Sequence, residues 1–237
     1  MITSLENKTV KELTKLHQKK YRSDSFLLCE KDLIEVARKS GNLKQLIYVG
    51  DPPFVFKNSL EVSQEVLNKI SKRTDLDYIG VSSIIEENDN YGDRIMILDH
   101  LQDPLNIGRI MEEARLFGFD SLILSEECAD LYNEKCLNNC KGGIFELKIC
   151  HKGLPEEVKK LRQNGYVVYA TGLQDHTREL HEVESAEKMA FILGNEGSGV
   201  TKELMAAADG VMKIDMRNID SLNVGMASAI IMYRFRK

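Results

Sequence analysis

Met96-Ile-Leu-Asp-His-Leu-Gln-Asp-Pro-Leu-Asn-Ile-Gly-Arg-Ile-Met-Glu-Glu-Ala-Arg-Leu-Phe-Gly-Phe-Asp-Ser-Leu-Ile-Leu124 reads as strand, polar loop, helix and strand. Ile95 to Leu98 is an apolar run of strand length, and Asp103-Pro104 breaks it. Ile107, Ile110, Met111, Ala114 and Phe117 then recur at helical spacing. Such a βα unit opens its loop at the carboxyl end of a strand, where open α/β sheets bind ligands. Within that loop Asn106 is placed to cap free amides, and Gly108 lets a ligand or another segment approach the backbone.

The apolar runs on either side extend the pattern. Strands are expected near 95–98, 121–124, 145–149, 166–170, 189–193 and 211–214, with helices between them, which implies a parallel sheet covered on both faces. Ahead of it, Phe26–Leu28, a helix from about Lys31 to Lys39, Leu46–Val49, a helix near Gln64–Ile70 and a strand near Tyr78–Val81 make a small α/β domain. The acidic stretch 86–93 is expected to be a linker or a long surface loop, so the division is 1–85, 86–93 and 94–237.

The 237 residues carry a net charge of −5, which argues against a general polyanion binder. The distribution is uneven. Residues 1–60 hold eleven Lys/Arg against seven Asp/Glu, an excess of four positive charges, so residues 61–237 carry nine net negative ones. After Asn7, a fair N-cap, Lys8, Lys11, Lys15, Lys19 and Arg22 recur at steps expected to form one cationic stripe on a helix, opposite Val10, Leu13 and Leu16. An ordinary solvated basic face has the same pattern, whereas five contacts to RNA phosphates would give a salt slope of about three to four. With no long apolar run and no signal-peptide pattern, the expectation is a cytoplasmic protein without a membrane segment. Five cysteines without a CxxC pair suit reduced thiols. Cys136, Cys140 and His151 lack a four-ligand pattern, so no metal is expected.

Two further loops resemble site walls. Met189–Leu193 runs into Gly194-Asn-Glu-Gly-Ser-Gly199, whose glycines free backbone amides to face a ligand and whose Glu196 is hard to explain by packing. Ser221-Leu-Asn223 precedes a helix, apolar on nearly every side, that must be buried in the core or against a second subunit. Ser221 is a plausible N-cap there, and Asn223 needs a polar partner.

Together, Asp103-Pro-x-Asn106-x-Gly108, Gly194-Asn-Glu196-Gly-x-Gly199 and Ser221-Leu-Asn223 resemble, in order, the three signature motifs of the SpoU (TrmH-type) family of RNA ribose 2′-O-methyltransferases in the SPOUT superfamily. Ile2-Thr-Ser4, Asn7, Lys11 and Leu16 resemble the opening of that family's ribosomal-protein-like RNA-recognition domain. The resemblance implies a parallel α/β domain with a trefoil knot, a rare exception to unknotted topology. It also implies homodimers and S-adenosylmethionine held by Thr171, Gly172, Gly194, Ile214 and Leu222, acting on rRNA or tRNA without a metal. Asn106, Glu196, Ser221 and Asn223 match the family's functional positions.

One departure matters. Members carry an Arg six residues after the motif Asn, where this chain has Glu112; Asn138 and Asn139 replace an Arg and a Ser ahead of Gly142-Gly143, and Asp215 replaces a Pro. Arg109, one turn earlier and roughly 60° away around the helix, could reach the same phosphate. Alternatively Glu112 serves as base, or the chain binds RNA without catalysis, as a ribosome-assembly factor would. Methylation of a base rather than a ribose is a further alternative.

Overall fold

Two sheets account for the apolar runs, each in its own compact unit. The computed structural model describes residues 1–174, 177–216 and 222–237. The first unit comprises Met1–Glu86 together with Tyr132–Phe145, and the second Glu87–Leu131 with Glu146–Lys237. A division at 86–93 alone leaves out the 132–145 segment, which lies between two strands of the second sheet in sequence yet belongs to the first unit.

In chain order the first unit holds α1 (Lys8–Lys15), a 3-10 turn (Lys19–Tyr21), β1 (Ser25–Leu28), α2 (Lys31–Lys39), β2 (Leu43–Tyr48), β3 (Ser59–Glu61), α3 (Gln64–Ser71) and β4 (Tyr78–Ser83). Its sheet runs β1-β4-β2-β3, with β4 antiparallel to both neighbours and β3 parallel to β2. Val10, Leu13, Val66, Leu67 and Ile70 from the helices bury against Ile47, Ile79 and Val81 of the strands. Asn7 caps α1 as expected, accepting from Thr9 N at 2.9 Å. The cationic stripe does not run on as one helix: α1 ends at Lys15, Lys19 stands in the 3-10 turn, and Arg22 follows it. Leu16 closes the helix with its N–H on the Leu13 carbonyl, and just beyond it His17 Nε2 donates to the Ile70 carbonyl at 2.7 Å.

From β5 (Arg94–Leu98) the chain continues through α4 (Pro104–Leu116), β6 (Ser121–Leu124), α5 (Glu134–Asn139), α6 (Gly143–Glu146), β7 (Lys148–His151), α7 (Leu154–Gln163) and β8 (Val167–Thr171). It then forms β9 (Arg178–Glu179), β10 (Met189–Leu193), α8 (Lys202–Ala207), β11 (Gly210–Lys213) and α9 (Val224–Arg234). The second sheet is parallel throughout its described pairs, in the order β7-β6-β5-β10-β8-β11-β9. All five residues of β10 are buried at its centre, as an apolar run without alternation requires. The strand expected at 145–149 is displaced, since Phe145 lies in α6 and the strand begins at Lys148.

The 86–93 stretch is not a free tether. Glu87 reaches His151 Nδ1 at 2.8 Å, Asp89 pairs with Lys152 at 2.8 Å, and Tyr91 Oη donates to Glu157 at 2.9 Å. At the far end, Phe235 stacks on Phe191 with ring centroids 4.7 Å apart. The buried guanidinium of Arg94 donates to the Phe235 carbonyl at 2.9 Å, so α9 and the strand β5 are locked at one polar point inside the core.

Candidate active site

The carboxyl ends of β5 and β10 lie side by side because the two strands pair from Met189↔Arg94 to Leu193↔Leu98. Their loops therefore meet. Beyond β5 the backbone turns through His100 at φ 58, a left-handed value that costs a residue with a Cβ about 1 kcal/mol or more. Four contacts hold it there. Its Nδ1 lies 2.6 Å from the buried Asp99, its amide donates to Ser125 Oγ at 3.1 Å, and its carbonyl accepts from Asn195 Nδ2 at 2.8 Å and Gln102 Nε2 at 3.3 Å. Asp99 also accepts from the Thr201 amide at 2.8 Å, fixing the start of α8.

The capping role expected of Asn106 falls instead to Asp103, whose carboxylate accepts from Leu105 N at 3.0 Å, with Pro104 in the first turn. Asn106 is thereby released to work inside the site, where it is almost fully buried. Its Nδ2 donates to Glu196 Oε1 at 3.1 Å, and its Oδ1 accepts from Asn223 Nδ2 at 3.2 Å. The carboxylate decides the orientation: Glu196 can only accept, so the Asn106 amide nitrogen must face it and the oxygen must face Asn223. Glu196 takes a further donation from the Gln102 amide at 3.4 Å, and Asn223 Oδ1 caps α9 through Gly225 N at 3.0 Å and Met226 N at 3.4 Å. A single polar chain thus joins three loops remote in sequence. Ser221, the third-motif partner of Asn223, lies outside the described residues.

The glycine loop differs from the expectation in one respect. Its amides turn inward, with Gly197 N and Ser198 N donating to Asn195 Oδ1 at 2.8 and 3.2 Å. Gly194 is required by crowding, because a Cβ there would lie 2.0 Å from Gly199 C and Val200 N. Behind this loop opens a cavity of about 530 Å3, within the range of small-molecule sites. Thr171, Gly172, Gly194, Ile214 and Leu222 all line it, with Leu193, Met212 and Ile231 as apolar walls and Glu196 and Asn223 on the polar chain.

Comparison with known proteins decides the family. A match to the SpoU rRNA Methylase family spans residues 93–233. The 23S rRNA (guanosine(2553)-2'-O)-methyltransferase RlmP of Bacillus subtilis is 31% identical over 99% of this chain and 98% of its own length. A solved rRNA methyltransferase from Sinorhizobium meliloti is similar with a TM-score of 0.89 at 26% identity, covering 98% of this chain and 95% of that one. A solved AdoMet-bound rRNA methyltransferase from Sinorhizobium meliloti gives a TM-score of 0.88 at 26% identity over the same shares. The chain belongs to the SpoU rRNA methylase family.

Against that SpoU framework, the outer face of α4 is unusual. Arg109 is exposed and forms no ion pair among the described residues, and its Cβ lies near Gly225 at the start of α9. Glu112 is half-buried, and Arg115 pairs with Glu146 at 3.7 Å. The next residue, Glu113, was not singled out from sequence. Ser228 Oγ, fully buried on α9, lies 2.5 Å from Glu113 Oε2 and 2.6 Å from the Gly225 carbonyl. One hydroxyl hydrogen cannot serve both acceptors, but a protonated Glu113 can donate to Ser228 while Ser228 donates to Gly225. Burial pushes Glu113 above the usual carboxylate range; the Ser228 contact opposes this, Glu112 reinforces it and Arg109 opposes it.

A carboxyl raised in the folded state contributes stability that is present below its unfolded pKa and lost as pH rises through the folded value. Glu113→Gln, which keeps a donor toward Ser228, is therefore expected to raise Tm at neutral and alkaline pH. The gain should shrink toward pH 4, and paired melts across pH check it. A constant difference at all pH values would contradict the assignment.

The first-unit cations divide by partner. Lys8 pairs with Glu12 at 3.8 Å and Lys11 with Glu6 at 2.5 Å, whereas Lys15 and Lys20 lie over the Tyr21 ring at 5.4 and 4.8 Å. All five cysteines are buried, and among the described residues no cluster of His, Cys, Asp and Glu is arranged to hold a metal. Nor, among them, is any helix long and apolar enough to cross a membrane.

Proposed function

We propose that this chain is an S-adenosylmethionine-dependent methyltransferase acting on a ribose 2′-hydroxyl of rRNA, in the cytoplasm. The observation that carries the reading is the convergence of the Asn106–Glu196–Asn223 chain on the mouth of a cavity lined by all five described cofactor positions. Family membership and the full-length similarity to an rRNA ribose methyltransferase support it. The cavity suits the cofactor in size and in its apolar walls beside polar loop backbone. Bound there, S-adenosylmethionine supplies an electrophilic sulfonium methyl group.

The protein's part is placement. Glu196, Asn106 and Asn223 hold the three loops at one geometry, so that a ribose oxygen and the methyl carbon are kept in line. Arg109, exposed and close to that chain, is the cation we assign to the target phosphate in place of the family Arg at position 112. Its neighbour Glu112 stays in the half-buried α4 face. Arg109→Ala is expected to lower kcat/KM about a hundredfold while S-adenosylmethionine affinity is unchanged; equal activity of variant and native protein would remove Arg109 from the site.

Met226, Ile230 and Tyr233 leave one apolar face of α9 exposed. A second copy would cover it, and Ile230→Asp should convert a dimer to a monomer in analytical ultracentrifugation. The C-terminal segment is proposed to thread a loop as a trefoil knot, a reading supported by β10 lying between β5 and β8 while β11 lies beyond β8. The decisive functional test is nucleoside mass spectrometry of rRNA from cells with and without the gene. Disappearance of one 2′-O-methylated nucleoside is expected; no difference would reject the activity.

A further inference from the structure

The first unit contains a second cavity, of about 280 Å3, that no part of the methyl-transfer reading uses. Its interior is apolar, formed by Leu27, Cys29, Leu33 and Leu137. Burial, reinforced by Glu134, pushes the Cys29 thiol up to about 12, so it stays neutral and belongs with the apolar wall. The polar residues lining it include Lys72, Lys135, Glu134 and Asn138, together with Tyr132 and Asn133, whose Oδ1 is taken up by the Lys135 amide. Unlike Lys8 and Lys11, Lys72 and Lys135 enter no ion pair among the described residues. His17, held by its bond to the Ile70 carbonyl, brings the end of α1 to the cavity, close in sequence to the Lys15–Tyr21–Lys20 cluster.

This combination selects a ligand class. The volume is just short of the roughly 300 Å3 at which drug-sized sites begin, enough for one planar ring system. Two uncompensated lysines attract an anion, yet Glu134 repels an anion and accepts from N–H groups. A phosphorylated compound whose flat ring carries N–H donors satisfies both. We propose that the cavity takes one unpaired nucleotide of the RNA, its base inside against the leucines and its phosphate on Lys72 and Lys135. The base must be unpaired, because its hydrogen-bonding edge has to be free to meet Glu134 and Asn138. A base with an exocyclic amine next to a ring N–H, as in guanine, suits the carboxylate better than uracil does. The inference rests on the proposed RNA substrate and adds where that RNA is read outside the methyl-transfer site.

The full chain is irradiated with a short single-stranded RNA carrying one 6-thioguanosine, and with the same RNA carrying 4-thiouridine, and crosslinked peptides are mapped by mass spectrometry. Crosslinks are expected on peptides containing His17, Cys29 or residues 132–138, stronger for 6-thioguanosine. Asn138→Trp, which fills the opening, should cut their yield about tenfold. Lys72→Ala and Lys135→Ala should each lower the salt slope of binding by about one. Crosslinks that map elsewhere, or an unchanged yield in a folded Asn138→Trp protein, overturn the proposal. Should that variant misfold by circular dichroism, the exposed Lys135→Ala decides, and an unchanged slope counts against the site. Calorimetry with S-adenosylmethionine separates the two readings: native protein that binds the cofactor without these crosslinks loses only the nucleotide pocket, whereas failure to bind the cofactor rejects the methyltransferase reading itself.

Discussion

Glu196→Ala is expected to lower kcat/KM for methyl transfer to rRNA by at least about a hundredfold, with S-adenosylmethionine affinity changed by no more than about threefold. Glu196 accepts from Asn106 Nδ2 at 3.1 Å and from the Gln102 amide at 3.4 Å, so its loss frees both ends of the first loop. The Asn106 amide, nearly fully buried, would be left with an unsatisfied donor at a cost of about 1–3 kcal/mol, and the loop would shift to relieve it. A displacement of about 1 Å at a reacting centre is sufficient for the rate loss. Glu196→Gln supplies one acceptor to Asn106 but presents an amide to the Gln102 N–H, so it should recover only about tenfold. Transfer of labelled methyl groups under single-turnover conditions measures both variants. If Glu196→Ala turns over at the native rate, the polar chain does not organise the reaction.

Deletion from Ser221 onward is expected to abolish soluble folding of the second unit. Val224, Ile231, Met232 and Phe235 would all be removed from the core, and each large buried side chain contributes about 1.5–3 kcal/mol. Their sum, about 6–12 kcal/mol, is comparable to the whole stability of a typical domain. Arg94 would in addition lose its bond to the Phe235 carbonyl while remaining inside the core. Phe235→Ala is the milder counterpart, expected to cost about 3–5 kcal/mol through the cavity left beside Phe191. Soluble yield and thermal melting followed by circular dichroism test both. A truncated chain that folds and binds S-adenosylmethionine would refute the knot.

The central strands were legible because a parallel sheet covered on both faces demands unbroken apolar runs, and 121–124 and 189–193 became strands as read. What went unread depended on contacts made far along the chain. Phe145 resembles the first residue of a strand, but its ring stacks with Phe26 at 6.3 Å and it sits in α6. The basic helix stops at Lys15, and two residues on His17 is tied to the carbonyl of Ile70, more than fifty positions away. At the site, Glu196 was visible as a carboxylate without a packing reason and Asn223 as a polar residue in need of a partner, but their link through Asn106 was not. Asn106 looked like a cap because its residue type caps helices, and only the structure puts Asp103 in that role. Asp99, His100 and Glu113 were missed, and Asn195 stood in the second motif without a role. A carboxylate directly after an apolar strand, and a serine inside the apolar run of α9, were the signals that could have found Asp99 and Glu113.

The assignment of Tyr132–Phe145 to the first unit bears on how the protein is made. A chain emerging from the ribosome has synthesised all four strands of the first sheet by Ser83, yet Tyr132, whose ring lies 4.6 Å from Phe26, does not yet exist. Before the first unit can close over Phe26, β5, α4 and β6 of the second must be translated. Neither unit is therefore complete as a simple prefix of the chain, and a ribosome paused between Glu86 and Leu131 would present an unfinished aromatic core to the chaperones waiting at the exit tunnel.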